Sequence, residues 1–188
     1  MKTINTLVED EVRNELIYPA LREKRDKKNL TYVEVGVFVG GNILRVHDFC
    51  YVEGINAHIF GVDNFSFHNI SDESLRWASM SREMDFKKSV EENLTNTSIK
   101  LVDGDSLSGS VLNLFQDNSI DVLFLDGDHS YEVVSKELDL WTKKVAKGGY
   151  IVGHDWPCDG VKHAVMERYS PYEILIGSTL GGYRVKVK

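Results

Sequence analysis

Apolar positions recur along this chain with two alternating habits. Short runs at residues 32–35, 57–62, 99–102, 122–125 and 150–152 are nearly continuous in aliphatic, β-branched and aromatic residues, as expected of strands covered on both faces. Between them, apolar residues step by three and four, which predicts amphipathic helices. Tyr131, Val134, Leu138, Trp141 and Val145 form the longest such stripe, expected to run on until Lys147-Gly148-Gly149 stops it. Shorter stripes are carried by Ile43, Leu44, Val46 and Phe49, by Phe86, Val90 and Leu94, and by Leu107, Val111, Leu114 and Phe115. Another helix is expected around residues 161–169. The opening residues 4–27 read as helical through Leu7, Val8, Val12, Leu16 and Leu21, with Pro19 placed to break that helix into two pieces. Strands at 172–176 and 183–187 flank Gly181-Gly182, which predicts a terminal hairpin.

Strands that alternate with helices imply an α/β fold: an open, doubly wound, mostly parallel sheet with helices on both faces. The chain has 188 residues and shows no repeat or Pro/Gly/Ser-rich linker, so a single domain is expected, with residues 1–28 as a helical N-terminal segment and 29–188 as the sheet-containing core.

Charge narrows the partners. With 22 basic against 29 acidic residues the net charge is -7, and the basic run at residues 22–28 is interrupted by Glu23 and Asp26. A nucleic-acid partner would call for a basic face, so none is expected. No apolar run approaches the roughly 20 residues of a membrane helix. The first residues lack the pattern of a secretory signal. Cys50 and Cys158 are the only cysteines and lack metal-ligand spacing, which fits a reducing cytoplasm and leaves both thiols without an assigned role.

In an open parallel sheet, ligands bind beyond the carboxyl ends of the strands. Here those ends are rich in ionisable residues: Glu34 before the glycine turn 36–41, then Asp63, then Asp103 and Asp105, then Asp126, Asp128 and His129, then His154 and Asp155. The turn Gly36-Val37-Phe38-Val39-Gly40 has the spacing Gly-x-x-x-Gly rather than Gly-x-Gly-x-x-Gly, which argues against a pyrophosphate cradle. A tight strand-to-helix turn explains this element alone equally well. A carboxylate at Asp63 can accept both hydroxyl hydrogens of a ribose, and it can also serve as a turn cap.

Several of these strings together, Val33-Glu34-Val35-Gly36 to Gly40, Gly61-Val62-Asp63, Gly104-Asp105-Ser106, Leu125-Asp126-Gly127-Asp128-His129-Ser130-Tyr131 and Gly148-Gly149 to Gly153-His154-Asp155, resemble class I, Rossmann-like, S-adenosylmethionine-dependent methyltransferases. The resemblance covers residues 32–169 and is to the small-molecule branch that includes macrocin-type and catechol-type O-methyltransferases. It implies a seven-stranded sheet with an antiparallel last strand. It also implies that Gly36, with its neighbours Glu34, Val37 and Gly40, meets the methionine part of the donor, Asp63 the ribose, and Asp105 and Ser106 the adenine, with Asp126 also among the cofactor-binding residues. Metal-dependent relatives carry Asp, Asp and Asn or Asp at positions that correspond here to Asp126, His154 and Asp155. The histidine disfavours magnesium and suits manganese, iron or zinc better.

Methyl transfer to a hydroxyl needs positioning and removal of a proton, by a base or by a metal that lowers the hydroxyl's pKa. Asp126, His129 and His154 are the candidates for that step. Whether Asp126, His154 and Asp155 hold a divalent metal, or His154 works as a base without one, is open from sequence, as is assembly into a homo-oligomer. His129 has an alternative reading as a turn residue beside a helix cap at Asp128 or Ser130. Phe65, Phe67, His68 and Trp77 in the connection 64–80, and Trp156, suit either an acceptor pocket or packing. Competing functions are an NAD(P)-dependent oxidoreductase, a non-catalytic ligand-binding or assembly module, and a nucleic-acid methyltransferase, the last disfavoured by charge and by the string at 125–128.

Overall fold

The runs that read as doubly covered strands do lie in the middle of a sheet. In the computed structural model, which describes residues 4, 6–66 and 85–188, β1 (Leu30–Val35), β2 (Ala57–Asp63), β3 (Lys100–Asp103), β4 (Ile120–Leu125), β5 (Val145–His154), β6 (Leu175–Ile176) and β7 (Gly182–Lys186) pair in the order β3-β2-β1-β4-β5-β7-β6. Neighbours among β1 to β5 run parallel, and β7 is antiparallel to both β5 and β6. This is the expected doubly wound sheet with an antiparallel last strand. The terminal hairpin joins β6 to β7 as its glycine pair predicts.

Alternation within the central strands sends side chains to two cores. Tyr32, Val122, Phe124 and Val152 meet Val12, Leu16 and Leu21 of the N-terminal helical segment, together with Ile43 and Val46. Val33, Val35, Leu123, Leu125 and Ile151 face the opposite way, against Val134, Leu138, Trp141, Val161 and Val165. Val33, Phe124, Leu123 and Trp141 are all fully buried. Each such side chain contributes about 1.5–3 kcal/mol by leaving water, which makes strand register a strong constraint on which residues reach the sheet edge.

The N-terminal helical segment runs as α1 (Asp10–Val12), a wide π-helical stretch (Arg13–Ile17) and α2 (Tyr18–Glu23). Pro19 does not split it into separate helices. The residue has no N–H for the Glu15 carbonyl and its ring crowds that oxygen, a misfit that the wide turns just before it absorb. The other helices are α3 (Gly41–Val52), α4 (Phe86–Asn93), α5 (Gly109–Leu112), α6 (Tyr131–Trp141) and α7 (Asp159–Met166). Two helices are shorter than their stripes predict. α6 ends at Trp141, and Val145, the next apolar step, instead pairs with Ile120 as the first residue of β5. α5 keeps only one turn of the 107–115 stripe, leaving Leu114 exposed. Both errors come from apolar spacing that a turn followed by a strand satisfies as well as a helix does. Among the described residues, no helix is long and apolar enough to cross a membrane.

Candidate active site

The strand order reverses beside β1. β2 and β3 lie on one side of it, and β4 and β5 on the other, which places the switch point, the usual ligand crevice, past the end of β1. Val35, the last residue of β1, is level with Val62 of β2 and Leu125 of β4. Asp63 and Asp126, each one residue further on, therefore flank Gly36 at the same edge of the sheet.

On the β4 side four of the expected residues converge. His154 Nδ1 lies 3.1 Å from Asp126 Oδ1 and 2.9 Å from Asp155 Oδ2, and His129 Nε2 lies 2.9 Å from the same Asp155 oxygen. Asp128 shapes the turn that presents His129, its Oδ1 accepting from the Ser130 amide at 2.6 Å. Asp155 takes a left-handed backbone, φ 54°, a conformation that Asp tolerates better than most residues and that turns the chain sharply at the end of β5. A fifth residue, unforeseen in the sequence, completes the cluster: Glu9, just before α1, places Oε2 2.8 Å from His154 Nε2.

Electrostatics follow from this crowding. Burial alone would pull the His154 pKa down, but its bonds to Asp126 and Asp155 overcome that and push it up to about 11. Burial raises the Asp126 carboxyl, opposed by its bond with His154. Burial also works to raise Asp155, yet its contacts with His129 and His154 hold it well below the usual carboxylate range. The Asp155 bond raises His129. Behind the cluster, a cavity of about 10 Å³ is bounded by Gly127, Val134, Glu137 and Tyr183, near the lower limit for one water.

On the β2 side of β1 the glycine turn is held from two directions. Asp63 Oδ2 accepts from the amides of Val37 at 2.7 Å and Phe38 at 3.1 Å, while Oδ1 accepts from Phe65 at 2.7 Å. From beneath, Glu34 accepts from Tyr32 Oη and Asn42 Nδ2, both at 2.8 Å, and Asn42 in turn accepts from the buried Arg13. Gly36 and Gly40 both have positive φ, and Gly40 caps α3. Glu34 and Val37 are buried in the core at 1% and 2% exposure. Tyr32 and Glu34 lie two residues apart and share the strand face that packs under the N-terminal helical segment.

Past β3, Asp105 is exposed and its Oδ1 holds the Leu107 amide. Ser106 donates its hydroxyl to Glu137 at 2.6 Å, and its carbonyl accepts from Trp141 Nε1 at 3.0 Å. Glu137 is buried on α6, and burial, opposed by Ser106, lifts its pKa to about 7. It stands three residues after Val134 and next to Leu138, a helical spacing that places it on the buried face and that is visible in the sequence. Glu9 left no such trace, because 145 residues separate it from its partner. Trp156 is buried against Tyr183 and belongs to the core. Cys50 is buried and Cys158 partly so; both are free, and burial pushes the Cys50 thiol up to about 12 and raises Cys158. Phe67, His68 and Trp77 lie outside the described residues.

Asp126, His154 and Asp155 can each offer one ligand atom, all within 4.8 Å of one another. Two carboxylates and one imidazole form a donor set that fits a divalent cation accepting nitrogen as well as oxygen.

This architecture defines a class I, Rossmann-like methyltransferase fold. Residues 33–156 match the Methyltransferase domain family, and the chain belongs to it. Among solved structures, the O-methyltransferase NovP superposes with a TM-score of 0.71 at 19% identity, over 97% of this chain and 82% of its own. MycE, a methyltransferase from the mycinamycin biosynthetic pathway described in complex with Mg and SAH, superposes with a TM-score of 0.57 at 18% identity, over 92% of this chain and 48% of its own. Uncharacterized protein R132 of Acanthamoeba polyphaga mimivirus is 29% identical over 133 residues, 70% of this chain. The chain spans about half, 53%, of that relative's length. The family membership decides against the nicotinamide-dependent reading.

Proposed function

We propose that this chain is an S-adenosylmethionine-dependent methyltransferase that moves a methyl group to a hydroxyl oxygen of a small molecule. The observation that carries this reading is the placement, on either side of Gly36 at one sheet edge, of a carboxylate that orders the glycine turn, Asp63, and a proton-handling cluster, Asp126, His129, His154 and Asp155. NovP's description as an O-methyltransferase and MycE's complex with SAH support it.

The donor's methionine part would lie along Gly36 to Gly40, with Glu34 ordering that turn through Asn42. Of the roughly four lone-pair sites of a carboxylate, Asp63 already commits three to the Val37, Phe38 and Phe65 amides. One remains on Oδ1, so Asp63 would accept one ribose hydroxyl unless the Phe65 amide releases it. Asp105 and Ser106 would border the adenine, with Glu137 and Trp141 holding Ser106.

Because the sulfonium methyl is already activated, much of the acceleration comes from aligning the acceptor oxygen opposite the sulfur. His129 is the half-exposed base of the set. Asp155 orients it and raises its pKa, which makes it a stronger acceptor for the hydroxyl proton. Asp126, His154 and Asp155 would hold a divalent cation, which would supply a lowered pKa for the bound hydroxyl. The free thiols fit work in a reducing cytoplasm.

Calorimetric titration with S-adenosylhomocysteine, with and without Mn²⁺, tests the reading. Micromolar binding is expected, and absence of binding would remove it.

A further inference from the structure

We infer that Glu9 is a positioning residue of this site: it holds His154 through Nε2 so that Nδ1 faces Asp126 and Asp155. The inference rests on the methyltransferase reading and assigns the N-terminal segment a part in it.

Three observations converge. Glu9 Oε2 is 2.8 Å from His154 Nε2, while Nδ1 of the same ring is within 3.1 Å of both Asp126 and Asp155. Each imidazole nitrogen thus has a separate task. An imidazole that offers one nitrogen to a cation is oriented when its other N–H is held by a carboxylate, and loss of such an outer carboxylate typically weakens metal binding 10–100-fold. Next, Glu9 is anchored. Its carbonyl accepts from the Arg13 amide at 3.4 Å, and the Arg13 side chain, 2% exposed, bonds Val8 and Asn42. Asn42 bonds Glu34 under the glycine turn. The first helical turn therefore ties the donor side to the His154 side through one rigid element. Finally, the turn before β7 leaves room for the carboxylate. A Cβ on Gly181 would stand 2.9 Å from Glu9 Oε2 and 3.2 Å from Val12 Cγ2, so an alanine there would force the Glu9 carboxylate to shift from its present place.

Mn²⁺ alone is the probe, titrated into the full chain by calorimetry, with S-adenosylhomocysteine titrated in parallel. E9A is expected to weaken Mn²⁺ binding 10–100-fold. E9Q keeps an oxygen acceptor for Nε2–H and is expected to lose only severalfold, a rescue that a loss of folding would not show. G181A retains the carboxylate but displaces it, and should fall between the two. S-adenosylhomocysteine affinity should stay within about twofold in all three. Two outcomes would overturn the inference and leave the methyltransferase reading standing: E9A with wild-type Mn²⁺ affinity, or a wild-type chain that binds S-adenosylhomocysteine but not Mn²⁺. A wild-type chain that does not bind S-adenosylhomocysteine would take down the reading and this inference together.

Discussion

Gly36 and Asp126 are in backbone contact: a Cβ built on Gly36 would clash with the Asp126 carbonyl. The glycine that heads the turn after β1 is thus required first by the closeness of the ends of β1 and β4, and that closeness is what seats Asp126 beside the turn.

Gly36→Ala is therefore expected to cost on the order of 4 kcal/mol or more, because it combines a left-handed backbone, φ 86°, with a backbone clash. Gly54→Ala is the control. Its φ is 68° but nothing lies within 4 Å of the added carbon, so about 1 kcal/mol is expected. Denaturant unfolding of the two variants measures the difference. Equal costs would mean that the close approach of the two strand ends is not what Gly36 provides.

Glu34 makes the stability of the chain depend on pH. Burial, opposed by the Tyr32 and Asn42 bonds, lifts its pKa from 4.5 to about 8. A carboxyl with a raised folded-state pKa favours the native state fully below its unfolded pKa, and that contribution drains away as pH rises from about 4.5 through 8. Glu34→Gln keeps an acceptor for both bonds and does not ionise. It should match the wild type near pH 4 and exceed it by roughly 3–5 kcal/mol at pH 9. Melting curves across that range check the sign. A constant gap between the two proteins would count against a protonated Glu34 in the native state.

Asp63→Ala frees the amides of Val37 and Phe38 and removes the expected ribose contact. S-adenosylhomocysteine affinity should drop at least about tenfold, equivalent to about 1.4 kcal/mol. Calorimetry reads it directly, and unchanged affinity would show that neither role matters to the donor.

Asp121, 4% exposed, joins the N-terminal segment to β4. Its carboxylate accepts from Lys27 Nζ at 2.7 and 2.9 Å and from the Thr31 amide at 2.9 Å. Asp121→Ala strands that amide and should cost about 2–3 kcal/mol, whereas Asp121→Asn, which still offers it an oxygen, should cost about 1. In a chain of this size each kcal/mol moves Tm by about 2–4 °C, so thermal melts separate the two.

The sheet was legible because local chemistry dictates it. Short apolar runs such as Val122 to Leu125, alternating with longer helical stripes, fit strands covered on both faces, and Gly181-Gly182 marks the return into β7. Strand ends were legible for the same reason, so Asp126, His129, His154 and Asp155 stand out in the sequence as candidates for one cluster. Helix ends were less so, since the step from Trp141 to Val145 suits a helix and equally a turn that enters a strand. Tertiary structure alone decided which way the side chains face and who meets whom. Glu34 turns inward because it shares a strand face with Tyr32, and Glu9 reaches His154 because α1 packs over the start of β7, at Gly182. No periodicity encodes a contact between residues 9 and 154, because such a contact depends on where the chain returns in space.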